Sequence, residues 1–360
     1  MKTDFTPFKI GTVFNPLRQV IGPVTTSCKT IEIKYPSRLN AMAIDPSKIT
    51  SNKNLVYTPG EVVFAVKIYK TIKVELLSTK NSLEIDPNSK RAPLIEHAYL
   101  LMKNALKFDN GIKITVDNSQ EIRHAGLGSS GGLIAGVASA INELFGNPIS
   151  PSNLIQYLAQ NHGEEIDGDS KNLNPVQCIG GSAAAGLFKG GLLILAGESR
   201  VIATMNISNT YKVVIGIPKD YIEFDSKILL EKEMTNFDKF METGKTFGPT
   251  LAYNLLHYGL PSMVGGDLKP IGKIIFDYRF NMESIKNCSY CYPQMVDLAS
   301  KLAPLFLNGN ADVLALSSVG PAFFAITKKQ DMCASLFEKN NLNTIITDLE
   351  NGTYTIINKQ

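Results

Sequence analysis

The chain has 360 residues, 44% of them hydrophobic and 19% charged, with a net charge of +3, a length and balance that support a sizeable core in one closely coupled two-domain unit. Its lysines are dispersed rather than arrayed in a basic stripe, which gives no case for a nucleic-acid partner, whereas a mild positive balance suits anionic metabolites. Five cysteines in no disulfide-scaffold spacing, no signal-peptide pattern and no apolar run of about 18 residues argue against secretion and the membrane, so a cytoplasmic protein acting on small molecules is expected.

In chain order, strand-like runs cover residues 30–44, 62–77 and 111–116, and residues 93–108 read as a helix packed among them. A glycine-rich loop, His124 to Gly132, then opens a long apolar helix. Leu133, Ile134, Val137, Ile141, Leu144 and Phe145 recur at helical spacing until Gly146-Asn147-Pro148 stops the run. Ser150-Pro151 is an N-cap and first-turn pair for a second helix reaching about His162. Strands follow at 192–196 and 212–218. The second half alternates helices with strands at 313–316 and 322–326, and ends in strand-like Thr344-Ile-Ile and Thr353 to Ile357. No repeat or low-complexity linker appears, and the Gly197-Glu-Ser-Arg turn puts the domain boundary near residue 200.

The loop His124-Ala-Gly126-Leu-Gly128-Ser129-Ser130-Gly-Gly132 carries the chemistry. Free N–H groups and the positive end of the helix dipole converge at a helix start, glycines let an anion approach the backbone, and two hydroxyls add donors. Phosphate or pyrophosphate is the natural ligand; a tight turn made only for packing is the alternative. There is no Gly-x4-Gly-Lys-Ser/Thr and no acidic residue about 20 positions on after a parallel strand, so neither of the common nucleotide-binding loops fits.

The loop resembles the Pro-x3-Gly-Leu-Gly-Ser-Ser loop of the galactokinase, homoserine kinase, mevalonate kinase and phosphomevalonate kinase (GHMP) superfamily. With His124 it is most similar to the His-x-Gly-Leu-Gly-Ser loop of the β-ribofuranosylaminobenzene 5′-phosphate synthases. Tyr35-Pro-Ser-Arg38-Leu-Asn40-Ala-Met-Ala-Ile-Asp45 resembles that family's first strand, with Asn40 in place of a histidine. Thr58-Pro-Gly60-Glu-Val-Val-Phe-Ala-Val66 corresponds to its next strand, short of two glycines. Leu260 to Leu268 and Leu316-Ser317-Ser318-Val-Gly320-Pro321 resemble later segments in the same order, with Val319 in place of a tryptophan. The resemblance spans roughly residues 30–330. It implies an α+β fold of two domains, residues 1–200 like the second domain of ribosomal protein S5 and 201–360 ferredoxin-like, with the site between them, and a homodimer.

Superfamily kinases often supply an aspartate just before a Gly-Gly pair, but the tract Cys178-Ile-Gly-Gly-Ser182 to Lys189-Gly-Gly191 holds neither carboxylate nor histidine. The resemblance therefore implies a synthase that joins phosphoribosyl pyrophosphate to an aromatic or heteroaromatic carboxylic acid such as 4-aminobenzoate and releases pyrophosphate and carbon dioxide. On that reading Gly126, Leu127, Gly128, Ser129, Ser130 and Gly131 cradle the pyrophosphate, and Ser130 reaches Mg²⁺. Arg38, with Arg123 or Lys189, neutralises a phosphate or carboxylate. Asp45 engages ribose or metal, and His124 is a further catalytic candidate. Asn40, Ser182, Ser317, Ser318 and Gly320 line the substrate.

Other readings of the same residues stand beside these. Arg38 and Asp45 also suit a structural ion pair, His124 a packing role, and Ser317-Ser318 a plain strand-to-turn connection. Glu164, Glu165, Asp167 and Asp169 read either as Mg²⁺ ligands or as a solvated helix end and loop. Cys288-Ser-Tyr-Cys291 has metal-ligand spacing without a second pair nearby. An ATP-dependent kinase of the same superfamily is the second reading, and a regulator that binds ligand without chemistry the third.

Overall fold

The computed structural model describes residues 6–44, 60–119, 125–176, 178–224 and 226–360. The first half runs β1 (Phe8–Lys9), β2 (Thr30–Ala43), β3 (Glu61–Leu77), β4 (Leu83–Ile85), α1 (Ala92–Leu106), β5 (Gly111–Asp117), α2 (Ser129–Leu144), α3 (Pro151–Ala159), β6 (Gly163–Ile166), β7 (Asp169–Pro175), α4 (Gly181–Leu187), β8 (Leu192–Ala196) and β9 (Arg200–Met205). The second half runs β10 (Lys212–Pro218), α5 (Ser226–Thr235), α6 (Phe237–Asn254), α7 (Leu260–Val264), α8 (Lys269–Phe276), α9 (Ser284–Asn287), α10 (Met295–Leu302), α11 (Pro304–Leu307), β11 (Val313–Leu316), β12 (Phe323–Thr327), α12 (Gln330–Lys339), β13 (Leu342–Thr347) and β14 (Thr355–Lys359). Single π-helical turns, Leu255–Gly259 and Asp277–Asn281, follow α6 and α8.

The largest sheet orders β14-β2-β3-β5-β4, with β8 on β3 and β9 on β8. It therefore continues past residue 200, and the last strand returns to pair with β2. A second sheet orders β11-β12-β10-β13, all antiparallel. Its strand order and its helix crossovers are those of a ferredoxin-like βαββαβ unit. The molecule is α+β, as the sequence resemblance implies.

α2 reads apolar nearly all round because it is buried nearly all round, between the large sheet and α1 and α4. Its Gly136 lies on Tyr35 and Ile72, and Gly186 of α4 lies on the Tyr35 ring, so small residues let both helices close on the sheet. The opposite face of that sheet, including Leu39, Met42, Phe64 and Ile194, packs directly on Ile215, Phe324 and Ile326 of the second sheet. Phe64 and Phe324 meet edge to face at 5.9 Å. An apolar seam of this kind holds the two halves in fixed relation.

Two segments differ from expectation. α3 ends at Ala159 rather than near His162, because Asn161 turns its amide to the N-terminal segment: its Oδ1 accepts from the N–H groups of Phe14 and Asn15, and its Nδ2 donates to the Asn15 carbonyl. The acidic run 164–169 is no helix end. It forms the β6–β7 hairpin, with Glu164 and Glu165 turned to Arg91.

Candidate active site

The site begins at the strand before the glycines. Pro36 has no N–H for the β2–β3 ladder, and the register shifts at Pro36/Ser37 and again at Asn40/Met42. Arg38 and Asn40, two residues apart and so on one side of the strand, line a cavity of about 310 Å³ together with the Gly126–Gly131 loop. Gly126 (φ 87°) and Gly128 (φ 68°) are left-handed. A side chain at Gly126 would meet the Ser317 carbonyl, and one at Gly128 would meet Ser182 Oγ and Arg38 Nε, so close approach demands glycine at both. The Gly132 N–H bonds back to the Gly128 carbonyl at 2.9 Å. The first-turn N–H groups of Ser129, Ser130 and Gly131 then have no intrahelical acceptor, an arrangement that suits an anion.

Polar side chains converge on this loop from both halves. Arg38 donates from Nη1 to the Gly126 carbonyl at 3.1 Å and from Nε to Ser182 Oγ at 3.2 Å. Ser317 Oγ accepts from the Asn40 N–H at 3.1 Å and donates to the Gly126 carbonyl at 2.7 Å, which clamps the loop 317–320 onto the glycines. Asn40 Nδ2 donates to Glu61, whose other oxygen accepts from the Gly181 N–H at 2.6 Å. Burial raises the Glu61 carboxyl, while nearby Arg38 and these two donors pull it back. Arg279, on the second π-helical turn and 3% exposed, spends its N–H groups on the Ala41, Asn40 and Ser318 carbonyls, Asn40 Oδ1 and Ser284 Oγ.

Apolar side chains share the lining: Leu229 and Met234 of α5, Phe237 and Phe240 of α6, and Val319, with Tyr278 beside Arg279. Glu233 of α5 stands among them; burial, helped by the charge on Glu164, pushes its carboxyl up to about 7. His162, also at the cavity, is lowered by burial. Cys178 and Cys288 line the cavity with thiols pushed up to about 12 by burial, so both are neutral. Cys291 packs in the core beside Cys288, and among the described residues no group of three His, Cys, Asp or Glu side chains converges to hold a metal ion.

Residues 93–185 match the GHMP kinases N terminal domain. Solved structures of similar fold include a homoserine kinase from Cytophaga hutchinsonii (15% identity, TM-score 0.60, covering 92% of this chain and 99% of that one). A mevalonate diphosphate decarboxylase from Staphylococcus aureus is similar at 11% identity and TM-score 0.57, covering 92% and 98%. So is a 4-(cytidine 5′-diphospho)-2C-methyl-D-erythritol kinase at 12% and 0.55, covering 89% and 100%. At these identities the likeness is one of fold. The sequence matches no curated protein.

Within this GHMP fold, the cavity lies between the two halves and brings together Arg38, Asn40, Gly126 to Gly131, Ser182, Ser318 and Gly320. Ser317 is fully buried behind the loop, where it clamps rather than lines. Lys189 does not reach the cavity: α4 ends at Leu187, Lys189 is exposed, and the chain turns away as Gly190 bonds to the Asn351 carbonyl. Asp45, Arg123 and His124 lie outside the described residues. Sequence reading missed Glu61, His162, Glu233, Arg279 and Arg91. None belongs to a motif of its own segment, and only the tertiary path carries each to the neighbourhood of the loop. For Glu61 a hint existed: an acid at the head of the apolar run Val62 to Val66.

The missing carboxylate of the tract 178–191 is also answered. Glu61 reaches that tract from β3 through the Gly181 N–H, so the cavity is not without acids.

No helix among the described residues is long and apolar enough to cross a membrane.

Proposed function

We propose that the protein is a transferase that seats a phosphate or pyrophosphate group on the Gly126–Gly131 loop and a flat organic acid against the apolar side chains of the same cavity. The reaction we assign is decarboxylative C-glycosyl synthesis. Phosphoribosyl pyrophosphate would lose pyrophosphate as the C–O bond at its anomeric carbon breaks. The ring carbon bearing the carboxyl group of an aromatic or heteroaromatic acid, 4-aminobenzoate-like, would form the new C–C bond. Loss of carbon dioxide then returns an electron pair to the ring, and no hydroxyl nucleophile has to be deprotonated.

The observation that carries this reading is the mixed lining of the cavity. First-turn N–H groups, two hydroxyls and the half-buried Arg38 guanidinium gather at the loop, where they would stabilise departing negative charge. Leu229, Phe237, Phe240 and Val319 line the same cavity and offer apolar surface that suits an aromatic ring and would screen an oxocarbenium-like centre from water.

A second reading has its own observation. Glu61 and Glu233 give the cavity the acids that its tract 178–191 lacks, and the domain match and two of the named structural neighbours are kinases. An ATP-dependent kinase acting on an alcohol or acid metabolite would use one of them to orient the acceptor.

Incubation with phosphoribosyl pyrophosphate, Mg²⁺ and a panel of aromatic acids, assayed for pyrophosphate, tests the first reading. Acid-dependent pyrophosphate release without ATP supports it. Silence there, with ADP formed from ATP and an alcohol, overturns it in favour of the second.

A further inference from the structure

The oxygens gathered around Arg91 beside the loop include Ser129 Oγ, Ser130 Oγ and the carboxylates of Glu164 and Glu165. A guanidinium already stands among them. Arg91 donates from Nη1 to Ser129 Oγ at 3.0 Å and from Nη2 to Ser130 Oγ at 2.6 Å. Its Nη2 also reaches Glu164 Oε2 at 3.3 Å, and its Nε reaches Glu165 Oε1 at 2.9 Å. The side chain is 4% exposed, and its backbone is left-handed at φ 65° where it caps α1. Mg²⁺ demands a near-octahedral shell of oxygens at about 2.1 Å. These oxygens instead accept from a fixed positive charge that an added cation would have to approach, so the donor set does not fit Mg²⁺ at Ser130.

The same bonds settle what the hydroxyls can do. A serine oxygen that accepts from Arg91 still has its own proton to give. Both hydroxyls are thus set as donors, at the start of a helix whose first N–H groups have no intrahelical acceptor, and Arg91 itself is not among the residues that line the cavity.

We propose that Arg91 is a positioning residue that takes the place of a protein-bound divalent cation at this loop. It orients the Ser129 and Ser130 hydroxyls toward the phosphate and supplies permanent positive charge behind them, so that pyrophosphate binds the chain without a metal. Any Mg²⁺ in the reaction is carried on the substrate's own phosphates. The inference rests on the anion-binding part of the proposed function and not on the reaction assigned there.

The test is calorimetric titration of the full chain with inorganic pyrophosphate, once in EDTA and once in excess Mg²⁺. The wild-type dissociation constants should agree within about threefold. In EDTA, Arg91→Gln should bind at least about 30-fold more weakly, and Arg91→Lys, which keeps the charge but not the fork, should fall between. Mg²⁺ should restore at least about fivefold to Arg91→Gln, because the vacated hydroxyl and carboxylate oxygens then suit a cation. A merely structural arginine would not create that metal dependence.

Wild-type binding that appears only with Mg²⁺ overturns the inference and leaves the anion site standing. A folded Arg91→Gln that binds as tightly as wild type in EDTA overturns it as well. No binding in either buffer overturns it together with the anion site, whereas failure of the synthase assay alone does not touch it. If Arg91→Gln does not fold, Ser130→Ala decides: about tenfold weaker binding in EDTA is expected, and unchanged binding contradicts the role of the hydroxyl.

Discussion

Arg279 donates from Nη2 to the Asn40 carbonyl oxygen at 3.1 Å and reaches its side-chain oxygen at 3.4 Å, so a residue of the second half fixes which way the Asn40 amide points. With Oδ1 held there, Nδ2 is left for Glu61, and Glu61 in turn takes the Gly181 N–H at the start of α4. The polar floor of the cavity is therefore oriented from across the seam between the halves.

Replacing Arg279 by Met leaves the Ala41 and Ser318 carbonyls without this donor, while the Asn40 carbonyl keeps the Ser318 N–H at 2.9 Å. At about 1–3 kcal/mol for each polar group stripped of its partner, with some relief by water, Arg279→Met should destabilise the chain by about 2 kcal/mol. Urea denaturation measures it. A loss under about 1 kcal/mol would mean that the carbonyls find other partners.

Glu61→Gln tests the relay itself. A carboxylate accepts from both Asn40 and Gly181, whereas a glutamine amide sets its own donor against Asn40 Nδ2, and turning Asn40 over sets Nδ2 against Arg279. A cost of about 1–3 kcal/mol is expected. Combined with Arg279→Met the two losses should fall short of their sum by at least about 0.5 kcal/mol, since Asn40 is then free to turn. Strict additivity would show that no relay couples them.

Gly128→Ala should damage the site more than the fold. The left-handed backbone costs an alanine about 1–2 kcal/mol, and the methyl group would push on Ser182 Oγ and Arg38 Nε. Pyrophosphate affinity should fall at least about tenfold, against roughly a few degrees in Tm. Unchanged affinity would remove Arg38 and the glycine turn from the binding account.

Much of this arrangement was legible in the sequence, for identifiable reasons. β2, β3, α1, α2 and β5 show in periodicity and end signals because each buries a regular face, with the site-side ends of β2 and β3 buried on both faces and α2 buried nearly all round. The loop shows because glycine and serine at a helix start have one strong physical use. Arg91, Glu61 and Arg279 are different in kind. Each is a single charged residue whose burial depends on partners far along the chain, such as the 74 positions separating Arg91 from Glu165. Lys189 failed for the converse reason. Its proximity to Ser182 in sequence is undone by the exit of α4 away from the cavity.

Glu233 predicts a pH dependence of definite sign. Its carboxyl is raised from 4.5 to about 7, first by burial and then by Glu164, so the folded chain holds this proton more tightly than the unfolded chain. The stability tied to it is complete below pH 4.5 and is lost as the pH rises through about 7. Glu233→Gln removes the titration. Relative to wild type it should gain of order 1 kcal/mol at about pH 8, a figure reduced for partial exposure, and nothing at about pH 4. Denaturation at the two pH values measures the difference, and an equal effect at both would return Glu233 to the ordinary carboxylate range.

The most direct measurement follows carbon rather than phosphate. Given phosphoribosyl pyrophosphate, Mg²⁺ and 4-aminobenzoate or a related acid labelled in its carboxyl carbon, the protein should release labelled carbon dioxide in step with pyrophosphate, and the ring should appear joined through carbon to the ribose. Label retained in the acid across the panel, with ATP consumed to phosphorylate an alcohol instead, would contradict the proposed chemistry.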